Sequence, residues 1–479
     1  MSTDHVEISG KDHSDANSTL VFRSGRWIDG WNPEDEKQWE TRGKKIASRN
    51  LKFSIYAEFL GFVVWQLWSI VVVSLGKYGF DFSTSQQFWL ISMPSLVGAT
   101  LRFPYTFMVS KIGGRNWTMV SASLLLIPTI AMSFAIAHHP VGGVGGTTYP
   151  IMLLVAALGG FGGGNFASSM ANITFFYPQR TKGWALGLNA AGGNIGAAVS
   201  QFMVPILVTL TAGLTLRPDV PNLPIAGWFW IPFIILAIAG AAFGMNNLSS
   251  AKADFGGYAA ALKDPHLWLM SLLYIGTFGS FIGLAGAFPK LIADQFPDYS
   301  LLHLGAVGVG LAFLGPLVGS LARPYGGKLA DKLGGGYVTA AAFIMMTLAT
   351  GAVIGTLKAG LSFWVFLVCF LVLFVFTGVG NGAMYRMIPT VFAFRAGSAD
   401  AQRISAGIST ERKTSASLGI ISAFGAYGGF LVPQAFSLSK VHFGDYAVGL
   451  WWFVIAYVVC LALTVVFYVV PFARKGQRV

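Results

Sequence analysis

Twelve apolar runs dominate this chain, each at least as long as the roughly 20 residues that an α-helix needs to cross the hydrocarbon core of a bilayer, and several long enough to imply tilt. They fall near 51–76, 87–111, 116–137, 149–177, 181–213, 226–246, 265–290, 303–330, 336–357, 362–393, 413–437 and 447–471. A chain so built has few folding options, because backbone polar groups in lipid must be satisfied internally. The pattern therefore predicts an all-α membrane protein with twelve transmembrane helices. Only 11% of its residues are charged, against about 25% in a soluble domain. The mean hydropathy of +0.62 agrees, and 59 glycines suit helices that approach closely in lipid.

The charge distribution gives an orientation. The formal charge of +12 could suggest a nucleic-acid partner. With the N-terminus inside, however, twenty lysines and arginines fall on one side, and only Lys77, Arg217, Lys290, Lys358 and Lys440 on the other. That is a positive-inside bias, so the basic balance reads as topology: no nucleic-acid binding, a lipid bilayer around the chain, and both termini in the cytoplasm. The first fifty residues lack a signal-peptide core. The expected organisation is a polar cytoplasmic segment (1–50), a six-helix half (51–246), a linker (247–264), a second half (265–471) and a short tail (472–479). Cys369 and Cys460 lie in apolar runs and read as core residues.

An ungapped internal repeat supports the two halves. At an offset of 221 residues, Val97-Gly98, Arg102, Lys111-Ile112-Gly113-Gly114 and Thr118 lie over Val318-Gly319, Arg323, Lys332-Leu333-Gly334-Gly335 and Thr339. Leu186-Gly187, Gly193 and Gly196 match Leu418-Gly419, Gly425 and Gly428, and Gly164-Asn165 matches Gly380-Asn381. Two six-span halves related in this way resemble the major facilitator superfamily, whose halves rock around a midplane site. The run Gly327-Lys328-Leu329-Ala330-Asp331-Lys332-Leu333-Gly334 resembles that superfamily's cytoplasmic loop signature. It makes Asp331 a candidate conformational latch.

Four charges remain inside the spans: Arg102, Arg323, Arg386 and Glu58. Arg102 and Arg323 lie about nine residues from the span ends, or roughly 13 Å deep at 1.5 Å per residue. That is too far to snorkel easily, and an arginine at mid-membrane costs about 2.5–3.5 kcal/mol on insertion scales. Structural arginines tied to carbonyls or a lone acid are the alternative, but three arginines face one acid. An anion site shared by the halves accounts for both. A guanidinium is a planar, permanently charged fork that binds planar oxyanions in a bidentate way, and the weakly polar surroundings favour a small anion. Glu58 and Arg386 sit at matching depth on the first and tenth spans. They could form a gate salt bridge or a static pair, or Glu58 could carry a proton.

The run Gly163-Gly164-Asn165-Phe166-Ala167-Ser168-Ser169-Met170-Ala171-Asn172, continuing through Ala185-Leu186-Gly187-Leu188-Asn189 to Gly193-Asn194, resembles the first signature of the nitrate/nitrite porter family, close to its bacterial NarK-type members. Leu418-Gly419-Ile420-Ile421-Ser422-Ala423 with Gly428-Gly429-Phe430 resembles the second. Ile46-Ala47-Ser48-Arg49-Asn50-Leu51 and Ser271-Leu272-Leu273-Tyr274 extend the likeness over nearly the whole chain. The resemblance implies nitrate and nitrite as substrates, moved by alternating access in a bacterial cytoplasmic membrane by a chain that functions as a monomer. It implies Arg102 and Arg323 as the clamp, Asn194 and Tyr274 as hydrogen-bonding groups, and Phe166 and Phe278 as packing faces.

Two fixed arginines favour exchange, since an empty, positively charged site should cross the membrane less readily than a loaded one. The nearest rival is proton-coupled nitrate uptake through Glu58, and a membrane nitrate sensor is a more distant one. The spans offer no metal cluster, nucleophile–base pair or nucleotide loop. Neither an enzyme nor a cofactor is expected.

Overall fold

A computed structural model describes residues 20–138, 147–214, 221–251, 255–395, 410–474 and 479. Its long helices are α1 (Lys44–Leu75), α2 (Thr84–Ile112), α3 (Gly114–Ala137, broken at Leu125), α4 (Tyr149–Phe176, broken at Gly159), α5 (Gln179–Leu210) and α6 (Ile225–Gly244, broken near Trp230). In the second half they are α7 (Pro265–Gln295), α8 (Leu314–Leu333), α9 (Gly335–Lys358), α10 (Phe363–Arg395), α11 (Thr410–Ala426 with Gly428–Phe443) and α12 (Ala447–Ala473). Ten of the twelve are long and apolar enough to cross a membrane. The other two, α2 and α8, carry Arg102 and Arg323.

The repeat has a backbone counterpart. Gly113 (φ 90°) ends α2 and Gly334 (φ 98°) ends α8, and α3 and α9 begin at the next residue. A side chain is strained at such φ values, so glycine makes both reversals possible. Glycines also set the packing inside each half. A Cβ on Gly193 of α5 would meet Cγ of Glu58 on α1 at 2.7 Å, and one on Gly425 of α11 would meet the Tyr274 ring on α7.

Three sequence expectations change. The first fifty residues include more than a polar tail: β1 (Val21–Arg23) and β2 (Trp27–Asp29) form a hairpin, and β2 pairs in parallel with β3 (Asn247–Leu248) of the linker. The rest of the segment holds the α4–α5 turn. Trp31 Nε1 donates to Phe175 O at 3.1 Å, Glu34 accepts from Gln179 N at 2.8 Å, and Arg180 pairs with Glu36 at 3.0 Å. Second, α1 starts seven residues early, because Lys44, Lys45, Arg49 and Lys52 lower the hydropathy without ending the helix. Third, the eighth run does not begin as a helix. Residues Leu302–Leu304 (β4) and Val307–Val309 (β5) pair around Gly305 (φ 66°), and the helical chain starts at Leu311. Alternating valines and glycines there suit a hairpin better than a helix turn. Most of the 394–412 loop and half of the 472–479 tail lie outside the described residues.

The hairpin and linker lie on one face of the bundle, the basal face. On the opposite, distal side the halves are closed. Trp89 meets Phe430 at 5.5 Å, Phe88 meets Tyr446 at 6.1 Å, and Phe202 meets Phe313 at 4.8 Å. Gln434 also donates to Ser92 at 2.7 Å.

Candidate anion site between the two halves

Arg102 is fully buried on α2. Its Nε donates to Gly163 O on α4 at 3.1 Å, and Nη1 donates to both O (2.8 Å) and Oγ (2.9 Å) of Ser422 on α11. Those bonds hold the first-half guanidinium across the boundary to the second half. Nη2 is buried and has no partner among the described residues. Arg323 on α8 is 4% exposed and lies beside the Tyr274 hydroxyl, and its Nη1 is likewise buried without a partner. A buried donor left unpaired costs about 1–3 kcal/mol. Two such nitrogens on two guanidiniums make this the candidate place for a bound acceptor.

Aromatic rings set the walls. The Arg102 guanidinium carbon is 4.5 Å from the centre of Phe166, 5.3 Å from Phe278 and 5.4 Å from Trp65. The Arg323 carbon is 5.9 Å from Phe166 and 5.5 Å from Tyr385. Phe166 thus lies within reach of both cations. Its ring is stacked with Phe278 at 6.1 Å and 24°, and Phe278 stacks with Tyr274 at 5.4 Å. Desolvated cation–π contacts of this kind contribute about 2 kcal/mol, which helps hold bare guanidiniums in a dry site. The sequence gives α7 as one regular run, but Ile275–Gly279 is a π-turn between Tyr274 and Ser280. That wider turn aims Tyr274 and Phe278 together, and π-turns occur often at functional sites.

The structure brings together five of the six candidate substrate residues, Arg102, Arg323, Phe166, Phe278 and Tyr274. Asn194 follows Gly193 at the Glu58 contact; both ends of its buried amide are unpartnered. Asn381 was seen in the sequence only as part of a repeat. It accepts from the Tyr274 hydroxyl at 2.9 Å and leaves its own Nδ2 unpaired. Trp65, Tyr385 and Ser422 were not singled out for this role; the depth of the arginines signals a site but not its walls.

Glu58 and Arg386 are not partners in this conformation. Glu58 is fully buried and accepts from Asn189 Nδ2 at 2.6 Å, and Asn189 also donates to Ser169 at 2.7 Å. The other Glu58 oxygen, Oε1, has no partner among the described residues. Both Arg323 and Arg102 act electrostatically on this carboxylate, so it belongs with the arginine site. Arg386 is about half exposed and pairs with Asp331 near the basal end of α8. Equal depth on two helices is not contact, because each side chain also needs a shared face.

The comparisons agree on one architecture. The family model described as Major Facilitator Superfamily matches residues 57–433. A nitrate/nitrite transporter NarU of Salmonella typhimurium is 42% identical over 457 residues, covering 91% of this chain and 95% of that one. A probable nitrate/nitrite antiporter NarK2 of Thermus thermophilus is 35% identical, covering 96% of this chain and 99% of the other. Among solved structures, a D-xylose–proton symporter superposes with a TM-score of 0.64 at 13% identity, covering 88% of this chain and 97% of that one. That likeness shows the fold alone.

Proposed function

Because the chain belongs to the nitrate/nitrite porters of the major facilitator superfamily, we propose that it carries nitrate and nitrite across the membrane by alternating access, exchanging one anion for the other between Arg102 and Arg323. The observation that carries this reading is the pair of unpartnered guanidinium nitrogens, Arg102 Nη2 and Arg323 Nη1, buried in one aromatic-walled site. A planar oxyanion offers the acceptors that these donors lack. The stacked rings of Phe166 and Phe278 suit a flat ligand, and Tyr274 and Asn194 supply neutral hydrogen bonds.

Charge gives the exchange. With Glu58 ionised, two arginines and one carboxylate leave the empty site at one net positive charge, and one monovalent anion neutralises it. The loaded site then crosses the low-dielectric centre without a net charge, whereas the empty one faces a desolvation penalty of several kcal/mol. The same chain is proposed to work as a single copy in a bacterial cytoplasmic membrane with both termini inside, supported by the basic bias of its loops.

Proteoliposomes holding nitrite and given labelled nitrate outside test this. Uptake should exceed that of anion-free vesicles by at least about tenfold, a difference of ~1.4 kcal/mol between empty and loaded return. Equal rates would overturn exchange. One observation favours a second reading, proton-coupled uptake: Glu58 Oε1 has no partner beside the site. An imposed pH gradient that drives nitrate accumulation without internal anion would select it.

A further inference from the structure

The N-terminal hairpin, α1 and α3 bring three arginines to the basal end of α6. Arg26 Nε donates to Met245 O at 2.8 Å, and Arg115 Nε donates to Ala242 O at 2.9 Å. Arg49 Nη2 donates to Asn246 Oδ1 at 2.8 Å. Arg26 follows Gly25 in the β1–β2 turn and is the only non-glycine residue with positive φ (61°) among the described residues. A side chain held in that sparsely populated conformation usually has a reason to be there. The turn is docked by Asn247, whose amide donates to Gly25 O at 3.2 Å.

Arg49 and Arg115 each feel the charge of Arg26, yet none of the three is paired with a carboxylate among the described residues. Arginine at a helix C-terminus is itself ordinary, since it satisfies orphan carbonyls. One cation would do that. Arg115 Nη1 is also held, by Asn116 Oδ1 at 2.9 Å. Even so, three cations at one helix end, with Arg26 repelling the other two and a guanidinium nitrogen left over on each among the described residues, call for a counter-anion.

The neighbouring surface says what kind. Phe243 is next in the chain to Ala242, whose carbonyl Arg115 holds, and it is 80% exposed. Leu236 and Ile235 on the same helix are 60% and 54% exposed. On a membrane helix that is a face for acyl chains, and it ends at the arginines. We infer that Arg26, Arg49 and Arg115 form a binding site for the phosphodiester of an anionic phospholipid, its acyl chains lying on the exposed face of α6. This goes beyond the transported anion and does not depend on its identity. The lipid would staple the hairpin to the first half from the basal side.

The experiment uses the full chain purified in detergent, with native mass spectrometry of lipid adducts. Dioleoyl phosphatidylglycerol should be retained under activation that strips dioleoyl phosphatidylcholine. Arg26→Ala and Arg115→Gln should each lower the retained phosphatidylglycerol by about fivefold, which corresponds to about 1 kcal/mol. Arg49→Gln keeps a donor for Asn246 and leaves the turn docked, so it reports the lost charge even if Arg26→Ala frees the hairpin. Arg23→Ala, outside the cluster, should leave retention unchanged. Equal retention of the two lipids would overturn the proposal, as would unchanged adducts in Arg49→Gln. Inorganic phosphate is the second arm: if it binds alone and displaces phosphatidylglycerol at millimolar concentration, the site takes a soluble anion and the lipid assignment fails.

Discussion

Arg102 and Arg323 occupy equivalent positions, each eleven residues before the glycine that ends its helix, but they are held very differently. Arg102 is fastened by three hydrogen bonds, two of them to Ser422 in the opposite half. Arg323 is flanked by Phe166, Tyr385 and the Tyr274 hydroxyl, with no carbonyl tie to match among the described residues. Duplication put a guanidinium at the same height in each half, and later divergence gave the two different neighbours. One arginine ties the halves together in this conformation. In the proposed exchange, the other would be freer to follow the anion as the halves rock.

Replacing each arginine with lysine separates those roles and should give the largest effects. A point charge cannot reproduce the fork, and losing a charge-assisted hydrogen bond of about 1.5–3 kcal/mol weakens binding by roughly 10- to 100-fold. Arg323→Lys should show this almost wholly in KM for nitrate exchange. Arg102→Lys should raise KM and also change the maximal rate, because the tie to Ser422 goes with it. Identical profiles for the two variants would erase the distinction.

A second asymmetry is subtler. Gly193 and Gly425 are matched in the repeat, and each admits a side chain from the first helix of its half: Glu58 in one, Tyr274 in the other. A carboxylate thus stands where the second half has a phenol. Glu58→Gln keeps an acceptor for Asn189 and removes the charge. A unit charge within about 10 Å at an effective dielectric of ~20 is worth ~1.7 kcal/mol. Nitrate affinity should therefore rise by roughly tenfold, while the maximal exchange rate falls, because the loaded site now keeps one net positive charge. If net uptake driven by a pH gradient exists in the parent chain and disappears in this variant, Glu58 carries the proton and the fixed-charge account falls.

The same comparison shows what a sequence carries. Helix count, the two halves and the arginine pair were legible because lipid leaves few alternatives and because duplication repeats its glycines, as at Gly113 and Gly334. The β4–β5 hairpin was not, since Leu301–Val309 is apolar enough to pass for the start of a helix. Glu58 and Arg386 were matched by depth alone, and the bulge at Ile275–Gly279 that aims Tyr274 has no periodic signature. Contacts between distant helices, such as Arg102 with Ser422, depend on which faces meet. Hydropathy does not encode that.

Ser422 tests the crossing tie more gently. Ser422→Ala removes Oγ but leaves the backbone carbonyl, so Arg102 keeps its 2.8 Å bond to O. Loss of one bond, worth about 1 kcal/mol net, should slow exchange by about fivefold without a large change in KM. A fall as deep as that of Arg102→Lys would mean that the hydroxyl touches the anion itself.

The smallest effect belongs to the helix ends. Asp331 pairs with Arg386 across α8 and α10 in the second half. The repeat puts Ser110 at the matching place in the first half, and its hydroxyl only donates to Phe107 O of its own helix at 2.9 Å. Asp331→Ser would make the second half resemble the first. An exposed ion pair contributes about 0.2–1 kcal/mol, so a latch that favours this conformation should change the maximal exchange rate by no more than about fivefold. KM for nitrate should stay constant, because neither group lies at the anion. A large rise in KM would instead connect this pair to the site, and the two halves would then differ in how they hold the anion as well as in how they close.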